Sequence, residues 1–402
     1  MSNAPDHPFF SVIIPTKNRP ELLVDAIESV LRQDFFDYEL IISDNYNDDR
    51  TKAAVETFLG NPRLHYVRTD RELNMPDHWE FATSRGRGRF ILVLTDRSVL
   101  KQGALKHINR ELVARPNIRV CSWRWTLFDE DLSVEFGDRK TRGTDYESIL
   151  CAEEVAQNFT LQKRNTLYQL PRGLNSCYDA ELSRQIRDVY GTLFRPISPD
   201  YTSAFLLLAH VDSILYINRP LFISQGLRVS NGGNAVTTSA MKYISTLSLA
   251  DPYLYVPIKE PLVENTLFCD YIQIKDITTE NGGIHGIEID WSVYFIACYR
   301  EILEKMLNRR FSLRMSASES LRAWQSALKT LDGETQAAVR SQLPSIMVKL
   351  FARKLLADFG VKSISRRLEY YMISNRRSRE SSILIIAGFP DAAIRQNDET
   401  IE

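Results

Sequence analysis

Residues 10–51, FSVIIPTKNRPELLVDAIESVLRQDFFDYELIISDNYNDDRT, constrain the chain most, because their apolar pattern passes from strand to helix and back within one β-α-β unit. Residues 11–14, apolar and β-branched after Ser11, form a run that Pro15 ends, as expected of a strand buried on both faces of a parallel sheet. In residues 21–32, Leu22, Leu23, Ala26, Ile27, Val30 and Leu31 fall on one helical stripe, which predicts a crossover helix. Residues 38–43 read as the second strand, which delivers Asp44, Asn45, Asn47, Asp48 and Asp49 to its carboxyl end. Ligands of open α/β sheets bind at that edge.

The order of these residues resembles the start of the family-2 glycosyltransferases, which have the GT-A fold. The resemblance is carried by the turn Pro15, Thr16, Asn18, Arg19, by the helix ending in Ser29, Val30 and Gln33, and by Asp44 followed by Asp49 and Thr51. It implies that Asp44 hydrogen-bonds the base of a nucleotide-sugar and that Pro15, Thr16, Asn18 and Arg19 line the nucleotide pocket. Where the family usually has Gly-Ser, this chain has Tyr46-Asn47. The fold class expected is α/β: a mixed, mostly parallel GT-A sheet flanked by helices, with a helical C-terminal extension.

A chain of 402 residues has room for two or three domains of roughly 100–200 residues each. Its 50 basic and 51 acidic residues leave a net charge of -1, so no global field favours nucleic acid, and no nucleic-acid partner is expected. Cys121, Cys151, Cys177, Cys269 and Cys298 are scattered and form no CxxC pair, which argues against a disulfide framework and for a reducing cytosol. The start MSNAPDHPFF has neither a basic nor an apolar leader region, and the apolar run 204–209 falls far short of the ~20 residues that span a bilayer. The expected location is cytoplasmic, soluble or attached at the inner face of a membrane.

Further strands are expected at 63–68, 90–94, 119–125, 213–217 and 221–224, with helices from about Pro76 and at 180–190 and 201–209. Gly86-Arg87-Gly88-Arg89 lacks the strand-to-helix setting of a phosphate loop and reads as a turn into the fourth strand. From 289 the pattern turns helical, at 293–307, 317–331, 334–342 and 346–359. The division expected is 8–110 as the nucleotide-sugar half, 111–250 as the acceptor half, 251–288 as a connecting segment and 289–402 as a helical extension.

The resemblance places its metal motif, an Asp-x-Asp, where this chain has Asp96-Arg97-Ser98. Three readings stay open. Asp96 holds a divalent manganese or magnesium ion, with diphosphate oxygens and water completing the shell. Alternatively, Arg97 takes the place of the cation on the diphosphate. In the third reading the loop is degenerate in a non-catalytic nucleotide-sugar-binding protein.

Residues 72–82, ELNMPDHWEFA, also resemble a family segment, which puts Asn74 and Asp77 at the nucleotide; the same residues make an ordinary helix start with Trp79 and Phe81 as core anchors. An inverting transferase needs a general base. The family's context matches Asp200, which equally suits a helix dipole behind Ser198 and Pro199, and Asp212 is a lesser candidate. The resemblance makes residues 226–235 a donor loop, with Arg228, Ser230 and Asn231 toward the diphosphate; a plain surface loop is the other reading. His285 reads as a lone loop histidine.

In the tail, Arg309, Arg310, Arg366, Arg367, Arg376, Arg377 and Arg379 interleave with Leu368, Tyr370, Tyr371 and Met372. That pattern suits an anionic membrane surface, a solvated helix face or a homo-oligomer contact through the C-terminal helices. Together these readings lead to an inverting glycosyltransferase that moves a sugar from a nucleotide-sugar donor, a UDP-sugar, to a hydroxyl of a glycan or lipid-linked acceptor.

Overall fold

In the computed structural model, which describes residues 7–46, 48–129, 134–136, 145–163, 166–225, 240–278, 283–307, 311–358 and 383–389, the opening unit is β1 (Phe10–Thr16), α1 (Pro20–Leu31) and β2 (Tyr38–Asp44). The two strands run parallel, from Phe10 opposite Tyr38 to Thr16 opposite Asp44, so Thr16 and Asp44 reach the carboxyl edge side by side. Every residue of both strands is buried, which explains why residues 12–14 and 40–42 are apolar on both faces rather than alternating. Pro20 opens α1, where its missing N–H costs no hydrogen bond, and Leu23, Ala26, Ile27 and Val30 pack into the core beneath the strands.

The chain continues through α2 (Arg50–Glu56), β3 (Leu64–Arg68), α3 (Met75–Thr83) and β4 (Phe90–Val93), with β3, β2, β1 and β4 all parallel. Gly88 lies in the turn into β4, where a Cβ would meet the backbone of Phe10 and Ser11 at 2.6 and 2.5 Å. Its N–H donates to Ser11 Oγ at 2.7 Å, so the Gly-Arg-Gly-Arg stretch is the strand entrance that its sequence setting predicts.

Next come β5 (Ser98–Leu100), α4 (Ala104–Val113), β6 (Val120–Asp129), β7 (Val134–Phe136), β8 (Glu147–Cys151), α5 (Ala152–Thr160) and α6 (Thr166–Gln169). They are followed by β9 (Ser176–Asp179), α7 (Ala180–Tyr190), α8 (Pro199–Ala209) and β10 (Ser213–Ser224). The strands form one mixed sheet in the order β3-β2-β1-β4-β9-β6-β10-β5, with β7 added to β6 and β8 to β10. Its longest ladders, β1–β2 and β6–β10, are parallel. The strands expected at 213–217 and 221–224 are one element, because register shifts around Pro220 absorb a residue that cannot donate to a ladder.

The remaining helices are α9 (Ala240–Ser245), α10 (Val263–Ile277), α11 (Trp291–Met306), α12 (Phe311–Leu328), α13 (Gly333–Asp358) and α14 (Ile383–Ile386). The segment 251–288 contributes α10, which serves two cores: Leu267, Tyr271 and Ile274 pack with Phe159 and Phe205, while Phe268 and Cys269 pack with Tyr294 and Phe295. The helices expected at 334–342 and 346–359 are a single helix that carries Pro344 inside it. Leu384, Ala387 and Phe389 close over Val99 and Ile223 at the β5 edge. Among the described residues, no helix is long and apolar enough to cross a membrane.

Candidate functional site

Asp44 ends β2 fully buried, with Oδ2 accepting from the Tyr66 hydroxyl at 2.7 Å and lying 3.8 Å from Arg68 Nε. Its other oxygen, Oδ1, is buried and accepts no hydrogen bond among the described residues. Leaving such an acceptor unpaired costs about 1–3 kcal/mol, so Oδ1 is an acceptor poised for an incoming N–H or O–H. Burial pushes the carboxyl up from its ordinary range, while the Tyr66 hydrogen bond and the Arg68 charge pull it back.

The loop beside Asp44 is tied down by its neighbour. Asn45 exchanges both amide hydrogen bonds with Leu73 at 2.8 Å, and Thr69 N–H donates to Asp44 O at 3.1 Å. Asn74 then caps α3 by accepting from Asp77 N–H at 2.9 Å, with Asp77 in the first turn. What the structure shows for this pair is the helix cap. Trp79 is a core residue, edge-on to Phe194 at 5.5 Å and close over Gly173.

Pro15 and Thr16 complete β1, and the chain turns through Asn18, whose φ of 59° is one that asparagine tolerates better than most residues. This turn grips the motif strand: Thr16 Oγ1 donates to Asp96 Oδ2 at 3.0 Å and Arg19 Nη1 to Asp96 Oδ1 at 3.1 Å. Arg97 points the other way along the edge, where its Nη1 donates to Ser224 Oγ at 2.6 Å and Gln225 O at 3.0 Å. The antiparallel pairing of Ser98 with Ser224 brings these distant stretches together. Arg97 is pulled below its ordinary pKa by burial, countered first by Asp96; it also interacts attractively with Asp200 and repulsively with Arg19 and Arg172.

Asp200 sits in the first turn of α8, with Oδ2 3.8 Å from Arg172 Nη1. Burial raises its carboxyl above the usual range, and Arg172 and Arg97 oppose that rise. Arg172 escaped the sequence reading because only the fold gives it an environment: its guanidinium lies 4.6 Å from the Trp125 ring and 5.0 Å from the Tyr201 ring, and it donates to the Tyr201 hydroxyl at 3.1 Å. Asp270 of α10 accepts the backbone N–H groups of Ile197 and Ser198 at 2.8 and 2.9 Å, which fixes the turn in front of α8. Asp212 is exposed and precedes β10, whose 12 residues put it roughly 35 Å from the Ser224 end, so it takes no part in this cluster. Arg228, Ser230, Asn231, Asn47 and the tail arginines lie outside the described residues.

The fit of a divalent cation can be tested on the donor atoms. Both oxygens of Asp96 are engaged, and the Ser98 hydroxyl is bonded to Thr95 Oγ1 at 2.7 Å. Such a cation is held by one or two protein carboxylates together with substrate phosphates and water, and here the one carboxylate offered is already paired with Arg19 and has the cationic Arg97 beside it. These residues do not fit manganese or magnesium. A second cluster, His107, Glu111 and Glu147, has its ligand atoms within 4.8 Å of one another. Arg110 and Arg115 hold the Glu111 carboxyl below its usual range against the opposing effect of burial. Glu147 pairs opposite Ile217, roughly 20 Å along β10 from Ser224, so that cluster is remote from Asp96.

An open, largely parallel sheet with an acceptor carboxylate at its carboxyl edge, a second carboxylate on a facing helix and guanidinium groups between them is the arrangement of an α/β protein of the GT-A type. Over residues 11–170 the chain matches the model of Glycosyl transferase family 2. It is 36% identical over 100 residues, 24% of this chain and 32% of the relative, to the GalNAc(5)-diNAcBac-PP-undecaprenol beta-1,3-glucosyltransferase of Campylobacter jejuni. It is 30% identical over 135 residues, 33% of this chain and 14% of the relative, to the uncharacterized protein y4gI of Sinorhizobium fredii. The chain thus spans about a third or less of the length of these curated relatives. Among solved structures, S. aureus TarS 1-349 in complex with UDP-GlcNAc is similar at a TM-score of 0.47 and 15% identity, covering 79% of this chain and 90% of that one.

Proposed function

We propose that the chain is an inverting glycosyltransferase that moves a sugar from a UDP-sugar to a hydroxyl of a glycan or lipid-linked acceptor. The observation that carries this reading is the orphaned Oδ1 of Asp44, beside Thr16 at the ligand-binding edge of the sheet. A uracil ring offers one N–H between two carbonyls, and that N–H suits a buried, unpaired carboxylate oxygen. Asn18 and Arg19 of the first turn, with Asn74 and Asp77 on the loop that Asn45 anchors, line the remainder of the nucleotide site.

On the facing side, Asp200 has the environment of a general base. Burial raises its carboxyl toward the operating pH, while Arg172 and then Arg97 favour the carboxylate form. In a single displacement, Asp200 takes the proton of the acceptor hydroxyl as that oxygen attacks the anomeric carbon. The bond from that carbon to the diphosphate oxygen breaks, UDP leaves with the bonding pair, and the anomeric configuration inverts. The relative that acts on an undecaprenol-linked glycan, by its name, supports a lipid-linked acceptor for this chain too.

Exposed Met347, Val348, Phe351, Leu355 and Leu356 on α13, interleaved with Lys349, Arg353 and Lys354, suit contact with an anionic lipid surface at the inner face of a membrane. Sedimentation with anionic and neutral vesicles tests that contact, and self-association in the absence of lipid would point instead to an oligomer through the C-terminal helices.

The experiment for the activity is a donor screen that follows nucleoside diphosphate release and sugar transfer to lipid-linked glycan acceptors, for the parent chain and Asp200→Asn. Release by the parent and its loss in the variant support the reading. Tight nucleotide-sugar binding with no transfer or hydrolysis in either protein would leave the non-catalytic binder.

A further inference from the structure

The positive charges around Asp96 and Asp200 come from three separate parts of the chain: Arg19 from the first turn, Arg97 from the motif strand and Arg172 from the loop before β9. Three guanidinium groups face two carboxylates, an excess of one positive charge before any ligand arrives. All three are held in place: Arg19 by Asp96, Arg97 by Ser224 and Gln225, and Arg172 between the rings of Trp125 and Tyr201. Arg172 Nε is buried and makes no hydrogen bond among the described residues. A diphosphate brings about two to three negative charges with several acceptor oxygens, and fixed planar guanidinium groups match those oxygens in pairs. The same loop offers a divalent cation only Asp96 and Ser98, and both are engaged within the protein, Asp96 with a guanidinium.

We propose that the donor diphosphate is bound, and its departing charge neutralised, by Arg97 and Arg172 with Arg19, and not by a divalent cation held at Asp96. This rests on the nucleotide reading of the Asp44 pocket and goes beyond it by assigning the group that recognises the diphosphate. Asp96 then positions Arg19 rather than a metal. Arg97 is a diphosphate ligand whose charge, with the larger effect of Arg172, also opposes the rise that burial imposes on the Asp200 carboxyl.

The test is calorimetry of the full chain with UDP and with UMP, each in EDTA and again in millimolar manganese or magnesium. UMP reports the base, ribose and first-phosphate contacts, and the ratio of the two affinities reports the second phosphate. The proposal expects UDP to bind at least tenfold more tightly than UMP in EDTA, with that ratio changing less than threefold when metal is added. Arg97→Ala should reduce the ratio at least fivefold and leave UMP affinity within threefold. Arg97→Lys, which keeps the charge and removes the fork, should recover part of the loss, and Arg172→Lys should behave likewise. A UDP preference that appears only with manganese or magnesium, measured on the unaltered chain, overturns the proposal whether or not the variants fold. So does a preference that survives Arg97→Ala in a protein with an unchanged melting temperature. UMP binding with metal-dependent UDP binding refutes the arginine site alone. Failure of both nucleotides to bind overturns the nucleotide reading together with it.

Discussion

Asp270 Oδ2 accepts the backbone N–H of Ser198 at 2.9 Å, so a carboxylate from α10 fixes the turn from which α8 and Asp200 start. The same carboxylate takes the N–H of Ile197 through Oδ1, and Tyr243 OH donates to the Ile197 carbonyl at 2.8 Å. The segment between the sheet and the C-terminal helices therefore supports the candidate base directly.

Asp270→Ala strands two buried N–H groups and is expected to destabilise the protein by about 1–3 kcal/mol for each. Burial raises the Asp270 carboxyl to about 7, while an unfolded aspartate titrates near ~3.9. Between those pH values the folded state retains a proton that the unfolded state has lost, so the contribution of this group to stability falls as pH rises through that window. Urea denaturation of the parent and of Asp270→Asn at several pH values checks this: the variant should lose a downward slope between about pH 4 and pH 7. An identical slope in both proteins would remove Asp270 as its source.

Asp200→Asn keeps the shape of the side chain and should preserve nucleotide binding while lowering turnover by about 10²-fold or more. Because burial raises the Asp200 carboxyl, the acidic limb of the kcat profile should lie above the range of an ordinary aspartate, with activity rising as the base loses its proton. Transfer assays across pH on both proteins decide it. Equal turnover would dismiss Asp200 as the base.

Gly88 has no room for a side chain against the backbone of Phe10 and Ser11. Gly88→Ala forces β1 and the β4 entrance apart and should cost about 1–3 kcal/mol, a typical penalty for overpacking. Thermal denaturation measures it, and a melting temperature equal to the parent's would show that the turn yields freely.

Much of the sheet edge was legible because its signals are local. Buried parallel strands read as short apolar runs, and the second residue after each run marks the edge, which is how Asp44 and Asp96 stand out. Asp200 was legible as a carboxylate in a helix's first turn, since Pro199 and Ser198 announce that turn. The supports were not legible. Arg172 acquires its role from Trp125 and Tyr201, 47 residues before and 29 after it, and Asp270 acts on a turn 72 residues away. Strand β9, four residues long, exists because it fits between β4 and β6 rather than because its sequence repeats.

The account turns on the unpaired Oδ1 of Asp44, and calorimetry of UDP binding to the parent chain and to Asp44→Ala tests it most directly. Loss of a charge-assisted hydrogen bond to the base should cost about 1.5–3 kcal/mol, roughly a tenfold to hundredfold weaker affinity, in a protein that still folds. UDP affinity unchanged by the substitution would contradict the assignment of this sheet edge as the nucleotide site.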